Sequence, residues 1–87
     1  MIHMKYPSQW TYESGALIRT FIFKNFVDAV AFVGTLVPLA EKAHHHPDIE
    51  IFSYKNVKVK LTTHDAGNSV TEKDIELSKM IDETFSR

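Results

Sequence analysis

The chain has 87 residues, of which 44% are hydrophobic and 24% charged, with a formal net charge of -1 and no cysteine. That length predicts one domain over residues 1–87, burying roughly 60–65% of its unfolded surface, so that pairing with other copies would add to a thin core. Disulfides and thiolate metal sites are excluded, and no apolar run spans a bilayer and no secretory pattern opens the chain, which makes a cytoplasmic home the expectation. Basic residues alternate with acids instead of forming the patch of a nucleic-acid binder, and neither nucleic acid nor membrane is expected as a partner.

Trp10–Glu13 reads as a short strand, Ser14-Gly15 as a turn, and Ala16–Phe23, dense in β-branched and aromatic residues, as its antiparallel partner. From Asn25 the period changes. Phe26, Val30, Val33 and Val37 fall on one helix face, widened by Ala29, Leu36 and Ala40, with Asn25 as the N-cap and Asp28 in the first turn. The helix is predicted to reach Ala43, with Pro38 kinking it or breaking a hydrogen bond near Gly34 and Thr35. Pro47 ends the helical block. Ile49–Phe52 is a third strand, Tyr54-Lys55-Asn56 a turn, and Val57–His64 a fourth strand. Its Val57, Val59, Leu61 and Thr63 point one way, and Lys58, Lys60, Thr62 and His64 the other. After the loop Asp65–Ser69, Thr71 and Asp74 form a capping box for a second helix carrying Ile75, Leu77, Ile81 and Phe85. The order β-β-α-β-β-α predicts an α+β domain, a four-stranded antiparallel sheet with two helices packed on one face.

Histidine is the compositional oddity. There are five, three of them consecutive at His44, His45 and His46; His3, in the opening Met1-Ile2-His3-Met4, carries no weight. Imidazole titrates near neutrality and can both give and take a proton there. The run sits at a helix-to-strand junction, where functional groups tend to be carried on a rigid scaffold. If the last two strands are neighbours, the end of one and the start of the other share a sheet edge, which brings His64 towards His45 and His46. Two other readings stand beside this one. The run can be a solvated helix end whose positive charge suits the dipole, or part of a three-histidine zinc site. Adjacent residues rarely converge on one ion, however, and no HExxH spacing is present. No GxSxG elbow and no glycine-rich phosphate loop occurs. Phe21, Phe23, Phe26 and Phe32 read as core, Lys58 and Lys60 as a solvated strand face, and Asp74 as a helix cap.

The segment Ala40-Glu41-Lys42-Ala43-His44-His45-His46-Pro47-Asp48 resembles the E-K-x-x-H-H-P signature of the pterin-4a-carbinolamine dehydratases. Tyr54, Val57, Leu61 and Thr62-Thr63-His64-Asp65-Ala66-Gly67 resemble that family's Y-x-x-V…L-T-T-H-D-x-G block, and Thr71–Asp74 with Leu77 its T-x-x-D-x-x-L ending. Upstream, Trp10 and Arg19–Phe26 are similar to its W and R-x-F-x-F-x-x-F pattern. The two histidine motifs together are specific. There are departures. Many members carry a helix before the first strand, whereas this chain opens close to Trp10. One extra residue between Pro47 and Val57 is expected to bulge or lengthen the hairpin around Phe52-Ser53. Asn68-Ser69-Val70 replaces the commoner Gly-Leu, and His44 stands where Asn or Asp is frequent.

The resemblance implies dehydration of a 4a-hydroxytetrahydropterin to a quinonoid dihydropterin, with no metal or organic cofactor, in support of tetrahydrobiopterin recycling. It implies His45, His46 and His64 as the catalytic set, with His45 and His64 the principal proton donors or acceptors, in either order, and His46 holding the pterin and supporting the charge shift. Glu41, one helical turn before His45, is expected to orient that ring. His44, Pro47, Thr62, Thr63 and Asp65 are expected around the substrate. The family also implies homodimers or homotetramers. Some members act as non-enzymatic partners, as a dimerisation or coactivator module for a transcription factor or in protein assembly.

Overall fold

The computed structural model describes residues 5–86, so that His3 lies outside the described part. The elements run β1 (Thr11–Glu13), β2 (Ala16–Ile22), α1 (Phe26–Ala43), β3 (Asp48–Phe52), β4 (Asn56–Leu61) and α2 (Glu72–Phe85), with one 3₁₀ turn at His64–Ala66. The strands form one antiparallel sheet in the order β1-β2-β4-β3. This is the expected β-β-α-β-β-α arrangement.

The alternation of β2 and β4 decides what faces the helices. Leu17 pairs with Leu61, Arg19 with Val59 and Phe21 with Val57, and the apolar members of these pairs are fully buried. On the opposite face Asp48 stands across from Lys60 and Glu50 from Lys58. The lysines are therefore one half of a cross-strand ladder of opposite charges. Phe21 lies 4.9 Å from both Phe32 of α1 and Phe85 of α2, ring centre to ring centre, so one aromatic group joins the sheet to both helices. The Arg19 guanidinium lies 4.3 Å from the centre of the Phe21 ring and is paired with Asp82, which also accepts from Trp10 Nε1 at 2.8 Å.

Asn25 caps α1 as expected, accepting from the Asp28 amide at 2.8 Å. Two expectations for this helix hold only in part. It runs unbroken through Pro38: the proline supplies no N–H to Gly34, but Gly34 is exposed and its carbonyl can turn to water. The core face also differs. Ala29, Phe32, Leu36 and Ala40 are buried, whereas Phe26, Val30 and Val37 are 54%, 45% and 58% exposed. The helix is apolar on two faces, so periodicity alone offered two stripes, and the one placing small alanines against the sheet is used.

The β3–β4 ladder is regular from Asp48–Lys60 to Phe52–Asn56, leaving Ser53–Lys55 as a three-residue connection. No bulge interrupts this ladder around Phe52-Ser53. The fourth strand is shorter than expected, ending at Leu61. Thr62 turns its hydroxyl to the Gly15 carbonyl at 2.7 Å. Thr63 then curls the chain, its carbonyl accepting from the amides of Ala66 and Asn68 and its amide donating to Ser69. His64 therefore opens the 3₁₀ turn and does not sit on the polar face of a strand.

Candidate active site

The histidine run is shaped by the end of α1. His44 adopts a left-handed backbone, φ 52° and ψ 40°. Its amide reaches the Glu41 carbonyl at 3.3 Å and the His45 amide reaches that of Ala40 at 3.1 Å, the two bonds of a Schellman stop. Glycine or asparagine is usual at such a position because a Cβ is strained there, which gives a backbone reason for Asn being frequent where His44 stands. The reversal throws the three rings in different directions and delivers Pro47 and Asp48 into β3.

His45 turns inward. Its side chain is 10% exposed, and Nε2 lies 2.6 Å from Oδ1 of Asp74, whose side chain is fully buried. Oδ2 of Asp74 accepts from the Thr71 amide at 2.9 Å and from the Thr63 hydroxyl at 2.7 Å. A buried carboxylate at the first turn of a helix is tenable with three donors and the positive end of the helix dipole around it. Because this carboxylate accepts, Nε2 of His45 is the protonated ring nitrogen and Nδ1 is left for the pocket. His46 is exposed, with Nε2 2.6 Å from Oε2 of Glu41. His64, on the 3₁₀ turn, has its Nδ1 2.7 Å from Oδ1 of Asn68.

The antiparallel pairing of β3 with β4 sets Asp48 beside Lys60, so the segment before β3 meets the one after β4. Between them lies a pocket of about 330 Å³ lined by His44, His45, His46, Pro47, Asp48, Thr62, Thr63, His64, Asp65 and Lys73. Of the residues singled out from the sequence, His45, His46 and His64 meet here together with His44, Pro47, Thr62, Thr63 and Asp65. Glu41 does not. It braces His46, not His45, because the left-handed residue at position 44 ends the helix between Glu41 and His45 and voids the one-turn spacing. Glu41 instead borders an adjoining apolar groove with Val33, Leu36, Val37, Ala40, His46, Pro47 and Ile49. Thr62 and Thr63 lend the pocket their surfaces, but their hydroxyl protons are committed to Gly15 and Asp74.

Asp74 is the residue that sequence reading missed as part of the site. It does cap α2, as expected, but capping occupies only Oδ2, and the oxygen that remains holds His45. Lys73 also lines the pocket, and Asn68, in the loop after β4, contacts His64. Among the described residues no three His, Cys, Asp or Glu side chains are grouped as metal ligands would be, and no helix is long and apolar enough to cross a membrane.

Three imidazoles, each with one ring nitrogen braced by a neighbouring side chain, line one common pocket. The sequence profile of the family described as Pterin 4 alpha carbinolamine dehydratase matches residues 2–84. A provisionally named pterin-4-alpha-carbinolamine dehydratase of Thermomicrobium roseum is 49% identical over 77 residues, 88% of this chain and 81% of that protein. One from Trichormus variabilis is 55% identical over 74 residues, covering 85% and 77%. A crystal structure from Brucella melitensis, described as a transcriptional coactivator/pterin dehydratase, superposes with a TM-score of 0.78 at 34% identity, covering 88% of this chain and 82% of that one. A pterin dehydratase-like RuBisCO assembly factor of the alpha-carboxysome shares the fold, with a TM-score of 0.67 at 20% identity over 94% and 90% of the two chains. The chain belongs to the pterin-4-alpha-carbinolamine dehydratase family.

Proposed function

We propose that the protein dehydrates a 4a-hydroxytetrahydropterin to the quinonoid dihydropterin, with His45 and His64 carrying the two protons. The observation that carries this reading is the meeting of His45, His46 and His64, from segments on either side of the β3–β4 hairpin, on one pocket. The chemistry needs two proton transfers. The C4a–O bond breaks as the leaving hydroxyl takes up a proton and departs as water. The N5 proton is lost, and the N5–H electron pair becomes the C4a–N5 double bond. No redox change occurs, and the protons gained and lost by the protein balance. Positioned acid–base groups typically contribute ~10²–10⁴-fold each.

His46, braced by Glu41, holds the pterin ring, with His44, Pro47, Thr62, Thr63 and Asp65 forming the walls around it. The pocket volume, about 330 Å³, lies at the lower end of the range for small-molecule sites. The exposed residues of α1, Phe26, Val27, Val30 and Val37, favour self-association as a homodimer or homotetramer. They also support a second reading, a protein-binding role such as the Brucella protein's coactivator description suggests.

A dehydratase assay on 4a-hydroxytetrahydropterin tests the proposal. Wild type is expected to accelerate water loss, and His45→Ala and His64→Ala each to lower turnover by about 10²-fold or more while keeping the fold. Near-wild-type turnover in both variants would overturn the assignment. A wild type without activity that binds a protein partner stoichiometrically would favour the second reading.

A further inference from the structure

We infer that Asn68 is a positioning residue, whose side-chain oxygen holds His64 with its proton on Nδ1 and so presents an unprotonated Nε2 to the pocket. This rests on the proposed reaction and adds a direction to it: His64 is the group that takes the N5 proton, and His45 the one that protonates the leaving hydroxyl.

Three observations carry it. Oδ1 of Asn68 lies 2.7 Å from Nδ1 of His64, and an amide oxygen can only accept. Nδ1 must therefore donate, and in the neutral ring that leaves the lone pair on Nε2. The loop holding Asn68 is fixed by its own backbone: φ is 58°, in the left-handed region that asparagine tolerates better than most residues, and its amide donates to the Thr63 carbonyl at 3.1 Å. Across the pocket His45 is braced the other way round, by a carboxylate at Nε2, so the two rings that line it leave opposite nitrogens unbraced. One partner is anionic and able to balance an imidazolium; the other is a neutral amide. The pair is thus arranged for one ring to start with a proton to give and the other with a vacancy to fill. The substrate's N5–H passes its proton to Nε2 of His64 as the C4a–O bond breaks.

The test reads the tautomer directly, without relying on activity. Two-bond ¹H–¹⁵N spectra of the wild type should show His64, when neutral, with its proton on Nδ1. Asn68→Gly keeps a residue that accepts the left-handed backbone but removes the acceptor. Its His64 should move towards the Nε2–H form that free imidazole side chains favour, with kcat falling about tenfold or more and KM changing by less than about threefold. Asn68→Asp retains an acceptor oxygen and should restore both the Nδ1–H signal and most of the turnover. A wild-type His64 protonated on Nε2, or an unchanged tautomer in Asn68→Gly, would overturn the inference whatever the activities are. A switched tautomer with unchanged kcat would overturn the acceptor role. Failure of the reaction itself would appear separately, as a wild type that does not accelerate water loss from 4a-hydroxytetrahydropterin.

Discussion

Replacing Asp74 by asparagine changes one atom's chemistry at the centre of the site and almost nothing in shape. In Asp74→Asn the amide oxygen can take the place of Oδ2 and keep the Thr71 amide and the Thr63 hydroxyl. The NH₂ group then replaces Oδ1, 2.6 Å from Nε2 of His45. Two N–H groups cannot face each other there, so the neutral His45 ring accepts from the amide at Nε2 and carries its one proton on Nδ1 instead. One charge-assisted hydrogen bond becomes a neutral one, a loss of about 1 kcal/mol, or roughly 4–8 °C in Tm for a domain of this size. Turnover should fall far more, by about 10²–10⁴-fold, because the ring can no longer be doubly protonated without losing its brace. Asp74→Ala instead takes the acceptor from the Thr71 amide and from Nε2 of His45, while the Thr63 hydroxyl can still turn to that of Thr71 at 2.7 Å, and should cost about 3–5 kcal/mol, much of the ~5–15 kcal/mol that holds a typical domain together. Thermal unfolding followed by circular dichroism, beside the dehydratase rate, measures both. Asp74→Asn with wild-type turnover, or with a stability loss as large as that of Asp74→Ala, would refute the idea that the carboxylate acts through the His45 proton.

Two further outcomes follow from backbone geometry. Gly15 has φ 80°, and a Cβ there would run into the Asn68 carbonyl oxygen. Gly15→Ala should therefore lower stability by about 2 kcal/mol or more, and should lower turnover by displacing the loop that carries His64; an unchanged Tm would show that the loop gives way freely. His44→Gly relieves a left-handed residue with a side chain, and should leave Tm unchanged or raise it by the equivalent of up to about 1 kcal/mol. Turnover in that variant should stay within about threefold of wild type, since His44 acts on the backbone more than on the proton transfers; a loss of two orders of magnitude would make it a proton carrier in its own right.

Much of the architecture could be read without coordinates. The change from period two to period three or four at Asn25 located α1, and the alternation of Val57, Val59 and Leu61 located β4 and its buried face. Asn25 and the Thr71–Asp74 pair marked where helices start, because an orphaned amide at a helix end needs a local acceptor and only a few residues supply one. What failed did so where the local signal was degenerate. α1 is apolar on two sides, so its sequence could not say whether Phe26 or Phe32 would meet the sheet. Thr62 and Thr63 are good strand residues, yet the chain leaves the sheet there as their hydroxyls and the Thr63 carbonyl find partners in Gly15, Asp74 and the following loop.

The sequence by itself determined which chemistry was possible: no thiol, three consecutive histidines stopped by a proline, a further one at the end of an expected strand, and motifs that name a family. Only the tertiary structure decided how that chemistry is wired. The bond from His45 to Asp74 joins residues 29 positions apart, and the exchange of Glu41 from His45 to His46 turns on one left-handed residue. Neither is a property of spacing. Each imidazole looks the same in the sequence, and it is the partner brought to one ring nitrogen by folding that fixes which nitrogen remains to meet a substrate.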